Sequence, residues 1–108
     1  MASPRITASV LKVLAALLAD PAADRYGLQL MADTGLPSGT LYPILVRLER
    51  AGWVTSEWEK IDPVAEGRPS RRYYRLTADG ATAAQREVAA MQRQMSRAAT
   101  PITQPREA

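Results

Sequence analysis

Thr34-Gly35-Leu36-Pro37, followed at once by Ser38-Gly39-Thr40-Leu41-Tyr42-Pro43-Ile44-Leu45, is a tight glycine turn that feeds the chain into a helix. Leu41, Leu45 and Leu48 fall at i, i+4 and i+7, one stripe of a helix predicted from about Ser38 to Ala51 and stopped by Gly52. Pro43 has no N–H and suits only the neighbourhood of a helix start, which agrees with a boundary near Ser38. Before the turn, a shorter helix is predicted from Arg25 to Thr34. Asp24 stands in its N-cap place, Leu28 and Met31 share a face, and Gly35 closes it.

The flanks extend this pair into a domain. Val10, Leu11, Leu14, Leu17 and Leu18 recur at helical spacing behind Thr7, a capping residue, and Pro21 halts that first helix. After Gly52 the pattern changes to β-branched and aromatic residues in two runs, 53–59 and 71–77, each of strand length. The segment between them, 60–70, holds two prolines and a glycine and is expected to lack regular structure, giving a hairpin with a long tip. Thr77 is placed to cap a final helix reaching about Ala99, with Asp79 in its first turn. The order helix, helix, helix, hairpin, helix describes a mainly α protein with a small β-hairpin, a winged helix-turn-helix followed by a C-terminal helix. The expected division is 1–77 for the winged domain, 78–99 for a dimerisation helix and 100–108 for a flexible tail.

Composition narrows the chemistry. The 108 residues suit one small core, and there is neither Cys nor His. Disulfides, thiolate metal sites, thiol nucleophiles and the usual proton shuttle are therefore absent, and no acid–base pair stands out, so the expectation is a protein that is not an enzyme and needs no cofactor or metal. The net charge is +3, carried by 12 Arg and only 2 Lys; the guanidinium fork matches phosphate and guanine. The apolar run 10–19 is interrupted by Lys12 and is too short to cross a bilayer, so a cytoplasmic protein without a membrane partner is expected.

In a winged helix-turn-helix the second helix of the pair enters the major groove by its N-terminal residues, and the hairpin tip reaches the neighbouring backbone. The face opposite the leucine stripe then offers Ser38, Gly39, Thr40, Tyr42, Pro43 and Arg47 to DNA. Gly39 and Thr40 are small enough for close approach; Thr40 can read a base and Tyr42 can bond a phosphate. In the wing, Gly67-Arg68-Pro69-Ser70-Arg71-Arg72 crowds three like charges, which an anionic partner explains. Arg68 and Arg71 are the favoured phosphate contacts and Arg72 is a further candidate, while Arg75 is expected to pair inside the protein. The competing expectation is that Arg72 and Arg75 pair across the hairpin with Glu57 and Glu59. Trp53, Trp58, Tyr73 and Tyr74 also suggest a single-strand stacking platform, a weaker reading because the tryptophans point to opposite faces.

The final helix carries Ala81, Ala84, Val88, Met91, Met95 and Ala98 at alternating spacings of 3 and 4, a heptad seam. The expected use is a homodimer contact, or an apolar ligand site, formed by Val88, Met91 and Met95 with Leu11 and Leu14 of a partner's first helix.

Three stretches together are specific. Tyr26-Gly27-Leu28, the run from Gly35 to Leu45 with Arg47-Leu48-Glu49 and Ala51-Gly52-Trp53, and the wing Gly67-Arg68-Pro69 with Arg71-Arg72-Tyr73-Tyr74-Arg75-Leu76-Thr77 and Gly80 strongly resemble the PadR family of transcriptional regulators. The resemblance implies a homodimeric repressor on a pseudo-palindromic double-stranded operator, with Thr40 and Tyr42 on the recognition helix and Arg68 to Arg72 in the wing. A single C-terminal helix resembles the short subfamily, some members of which bind planar aromatic drugs between tryptophans on that helix. Here the helix has no aromatic residue, so any small-molecule effector would meet Val88, Met91 and Met95 instead. The alternative function is a winged-helix module whose arginines meet an acidic protein.

Overall fold

A computed structural model describes residues 3–99; the expected tail at 100–108, and residues 1 and 2, lie outside the described residues. Helix α1 (Ala8–Leu18) begins where Thr7 Oγ1 accepts the Val10 N–H at 3.2 Å, and it buries Val10, Val13, Leu14 and Leu17. Helix α2 (Gly27–Thr34) starts two residues later than predicted, because Arg25–Tyr26 is extended and forms a short strand, β1. Asp24 is therefore not its cap: Gln29 Oε1 accepts the Tyr26 N–H at 2.9 Å, and Asp24 instead receives Arg75. Gly35 ends α2 at φ 73°, a left-handed value that a residue with a Cβ rarely takes, and its N–H returns to Met31.

Helix α3 (Ser38–Arg50) opens on the Pro37 carbonyl, which accepts from Thr40 and Leu41, and buries Leu41, Ile44, Leu45 and Leu48. The helix starts at Ser38 as predicted, which makes Pro43 its sixth residue, so the helix forgoes one backbone hydrogen bond to the Gly39 carbonyl. Those four side chains meet α1 and α2 in a single core that also contains Leu30, Leu36, Trp53, Val54, Tyr74 and Leu76.

Strands β2 (Val54–Trp58) and β3 (Arg72–Leu76) form the hairpin, and β1 adds to the other edge of β3, giving an antiparallel sheet in the order β1-β3-β2. The loop expected to be irregular contains a one-turn helix, α4 (Pro63–Glu66). Its residues are helix punctuation at close quarters: Asp62 Oδ1 accepts the Val64 N–H at 3.0 Å, Pro63 opens the turn, and Gly67 closes it at φ 71°.

Helix α5 (Ala78–Ala99) is seated by Thr77, which accepts the Gly80 N–H, donates its hydroxyl to the Gly52 carbonyl and its N–H to the Trp53 carbonyl. Gly80 lies so close to Trp53 that a Cβ there would be 1.8 Å from the Trp53 carbonyl oxygen. Ala83 and Ala84 continue the contact into the core, so the first half of α5 packs on the chain's own α1. No described helix is long and apolar enough to cross a membrane.

The glycines of α3 and α5 give a paired test. Gly80→Ala drives a Cβ into the Trp53 backbone and is expected to cost about 1–3 kcal/mol. At Gly39 an added Cβ meets nothing within 4 Å, so Gly39→Ala should leave stability unchanged or raise it by about 0.5–1 kcal/mol through helix propensity. Urea midpoints at equal m-value measure both; a wild-type midpoint for Gly80→Ala would unseat α5 from the Trp53 carbonyl.

Candidate nucleic-acid interface

Burying one side of α3 leaves the other outward. Ser38, Gly39, Pro43 and Arg47 are exposed and Thr40 is half-buried. Tyr42 is 39% exposed, and its hydroxyl reaches the start of α2: a Cβ on Gly27 would lie 2.0 Å from it. Between α3, the start of α2 and the loop end of the hairpin is a cleft of about 350 Å³, walled by Tyr42, Leu28, Trp58, Arg71 and Arg72 among others.

The four arginines of the wing and β3 have different surroundings. Arg68 does not stand free. Its Nη1 and Nη2 donate to the two oxygens of Glu59 at 2.7 and 3.0 Å, a bidentate pair in which Glu59 is only 14% exposed. The guanidinium expected to meet phosphate is thus engaged by a carboxylate of its own chain. Arg71 makes no ion pair among the described residues; its guanidinium lies 5.5 Å above the Tyr26 ring. Arg72 donates to Ser56 Oγ at 2.7 Å, lies 5.2 Å above the Trp58 ring, and approaches the Glu49 carboxylate only to 3.9 Å. Arg75 pairs with Asp24, whose hydrogen bonds hold the guanidinium above its usual pKa.

The expected pairing of Arg72 and Arg75 with Glu57 and Glu59 fails on register. Trp58 stands opposite Arg72, Thr55 opposite Arg75 and Glu57 opposite Tyr73. Glu59, just past the end of β2, instead gathers the wing around its carboxylate. Besides Arg68, it accepts the Arg71 backbone N–H at 3.2 Å and the Tyr26 hydroxyl at 3.1 Å, while its own N–H donates to the Arg71 carbonyl at 2.8 Å. The Arg68 hydrogen bonds, helped by those from Arg71 and Tyr26, hold the Glu59 carboxyl down at about 2, and the Tyr26 phenol is raised by the same contact. Sequence reasoning misses this node, because a hairpin's register decides which acid faces which base.

The aromatics do not form a stacking platform. Trp53 and Tyr74 are buried, Tyr26 and Tyr73 meet edge to face at 6.2 Å, and Trp58, 59% exposed, lies beneath Arg72. At the other end of the molecule, Leu14 is fully buried in the chain's own core and is not available to a seam. Leu11, Val88 and Met91 are half-buried and Met95 is 64% exposed; with Ala8 and Ala15 they line an apolar groove of about 330 Å³ between α1 and the outer half of α5.

A three-helix unit with a trailing hairpin, a third strand and a long C-terminal helix defines a winged helix-turn-helix protein of the transcription-regulator class. The transcriptional regulator PadR-like family matches residues 13–86, and the chain belongs to that family. Among solved structures, smu.1704 from Streptococcus mutans UA159 is 24% identical and aligns with a TM-score of 0.69, over 97% of this chain and 100% of that one. A PadR family transcription regulator from hypervirulent Clostridium difficile R20291 is 19% identical, with a TM-score of 0.70 over 91% of this chain and 100% of that one. The PcaV transcriptional regulator from Streptomyces coelicolor, solved in complex with its natural ligand, is 25% identical, with a TM-score of 0.72 over 94% of this chain and 66% of that one. No curated protein matches the chain.

Glu59 sets a pH signature. Its carboxyl is depressed in the fold, so the stability it contributes is complete above the ordinary value of 4.5 and is lost as pH falls toward about 2. The difference in thermal midpoint between wild type and Glu59→Gln should stay constant from neutral pH to about 4.5 and shrink below it. A difference that already shrinks near neutrality would mean the carboxylate is not held this way.

Proposed function

We propose that this PadR-family regulator is a homodimeric repressor of a pseudo-palindromic operator, with α3 in the major groove and the wing on the flanking backbone. One observation carries the reading. The outward face of α3, small and polar at its N-terminal end, lies beside a cleft whose two arginines rest on aromatic rings, Arg71 without an ion pair among the described residues and Arg72 reaching the Glu49 carboxylate only at 3.9 Å. Small residues at Ser38, Gly39 and Thr40 permit close approach to base edges, and the helix N-terminus adds unpaired N–H groups and a positive dipole end. Tyr42, Pro43 and Arg47 extend the same face toward the backbone. Arg71 and Arg72 supply sequence-independent attraction to phosphate, while base contacts from Thr40 supply discrimination.

Pairing of two chains is supported by the apolar groove at α5. Met95 and the half-buried Val88 and Met91 leave an oily edge that one chain's own α1 does not cover. Two-fold pairing doubles the bases read and fixes the half-site spacing near a whole number of helical turns. A small apolar effector entering this groove would alter that spacing and shift the equilibrium away from operator.

Two measurements decide these points. Arg71→Ala should weaken operator and random duplex by similar factors, and the slope of log K against log salt should become shallower by about 0.9; Thr40→Ala should instead erode the operator-to-random ratio. Binding to an acidic protein with no salt-dependent duplex binding would favour the interaction-module reading. Met91→Glu places a charge in the apolar groove and should yield a folded monomer in sedimentation with most operator affinity lost. A variant that remains dimeric and binds normally would remove the seam and the effector site together.

A further inference from the structure

The wing of this protein carries a charge that the sequence advertises and the fold withdraws. Arg68 stands at the C-terminal end of the α4 turn, where the Gly67 and Arg68 N–H groups fold back onto Val64 and Pro63. That turn aims the Arg68 side chain inward at Glu59. Both guanidinium nitrogens facing the carboxylate are used, and a third contact, from Nη1 to the Pro69 carbonyl at 3.3 Å, holds the fork in place. Glu59 in turn grips both sides of residue 71, accepting its N–H through the side chain and donating to its carbonyl through the backbone. The Tyr26 hydroxyl completes the node, and the Tyr26 ring is the surface on which the Arg71 guanidinium rests. One carboxylate therefore neutralises Arg68 and fixes the position of Arg71.

We infer that Glu59 is a specificity-determining positioning residue of the DNA interface: it withholds Arg68 from phosphate and holds Arg71 at one point of the wing. The inference rests on the duplex-binding reading above and deepens it. A guanidinium on a free stem finds a phosphate on any duplex in any register, so it strengthens binding without selecting. A guanidinium fixed against Tyr26 meets a phosphate only when α3 is seated in its proper register. Pairing one and fixing the other therefore lowers the affinity for random DNA relative to operator.

Glu59→Gln tests this with little change of shape, since the amide oxygen can still accept the Arg71 N–H while the charge pair is lost. Freed Arg68 should steepen the salt slope on random duplex by about 0.9 and raise random-duplex affinity by roughly threefold to tenfold at 100 mM salt. The operator-to-random ratio should fall. The double variant Glu59→Gln/Arg68→Ala should return the random-duplex slope to that of wild type. A purely structural role for Glu59 would instead weaken binding to both duplexes and leave the double variant as impaired as the single. An unchanged slope in Glu59→Gln, or a double-variant slope shallower than wild type by about 0.9, would overturn the inference, the latter by placing Arg68 on phosphate in the native wing. The node can also be read without DNA, by following the Glu59 carboxyl carbon in an NMR pH titration. Titration at an ordinary carboxylate value would show that the clasp is absent and overturn the inference while leaving duplex binding by the wild type intact. A depressed titration in a wild type that binds no duplex would overturn the DNA reading and the specificity role with it.

Discussion

Leu41, Ile44, Leu45 and Leu48 can be buried together in only one way, by turning one side of α3 onto α1 and α2. Everything that faces outward on this helix follows from that burial. A helix has 3.6 residues per turn, so once these positions are committed to the core, Ser38, Gly39, Tyr42, Pro43 and Arg47 are driven to the opposite surface. Full burial of an aliphatic side chain is worth roughly 1.5–3 kcal/mol, far more than any surface contact these polar residues make within the chain. The polar face is thus presented by the hydrophobic effect acting on its reverse.

The wing is governed by electrostatics rather than burial, and there the number of charges misleads. Arg68, Arg71, Arg72 and Arg75 look equivalent in the sequence. In the fold, Arg68 is held by Glu59 and Arg75 by Asp24, while Arg71 and Arg72 rest on aromatic faces. Stacking on a ring uses none of a guanidinium's N–H donors, of which Arg72 gives one to Ser56, whereas a bidentate carboxylate pair takes two. The strand β1 makes this sorting possible. By pairing Arg25–Tyr26 with β3 it brings Tyr26 beneath Arg71 and within reach of Glu59, and it leaves Asp24 beside Arg75.

Helix α5 divides its seam between two tasks. Ala81 and Ala84 belong to the chain's own core side, where small residues allow the close seating that Gly80 begins against Trp53. From Val88 onward the same stripe rises past the domain and its larger side chains border a groove instead. A heptad pattern read along a sequence gives a continuous face; it does not show where the chain's own domain stops covering it.

The sequence alone determined the elements whose signals are local. Thr7 and Thr77 cap the helices predicted for them, Gly35 and Gly52 take left-handed turns at the predicted ends, and the leucine spacing of α3 identifies its buried side. The resemblance carried in Tyr26 to Leu28, Gly35 to Gly52 and the wing was likewise legible, because those residues sit at fixed separations. What tertiary structure decided are the pairings between segments far apart in the chain. Arg25–Tyr26 reads as the start of a helix until β3, nearly fifty residues away, offers it a strand edge. Asp24 reads as a cap until Arg75 is brought beside it, Arg68 reads as free until the hairpin register sets Glu59 against it, and Leu14 reads as part of a seam until the core closes over it. Periodicity and capping depend on neighbours three or four residues apart, whereas a charge or a strand edge is satisfied by whatever the fold places within 3 Å, and that distance is set only once the core has assembled.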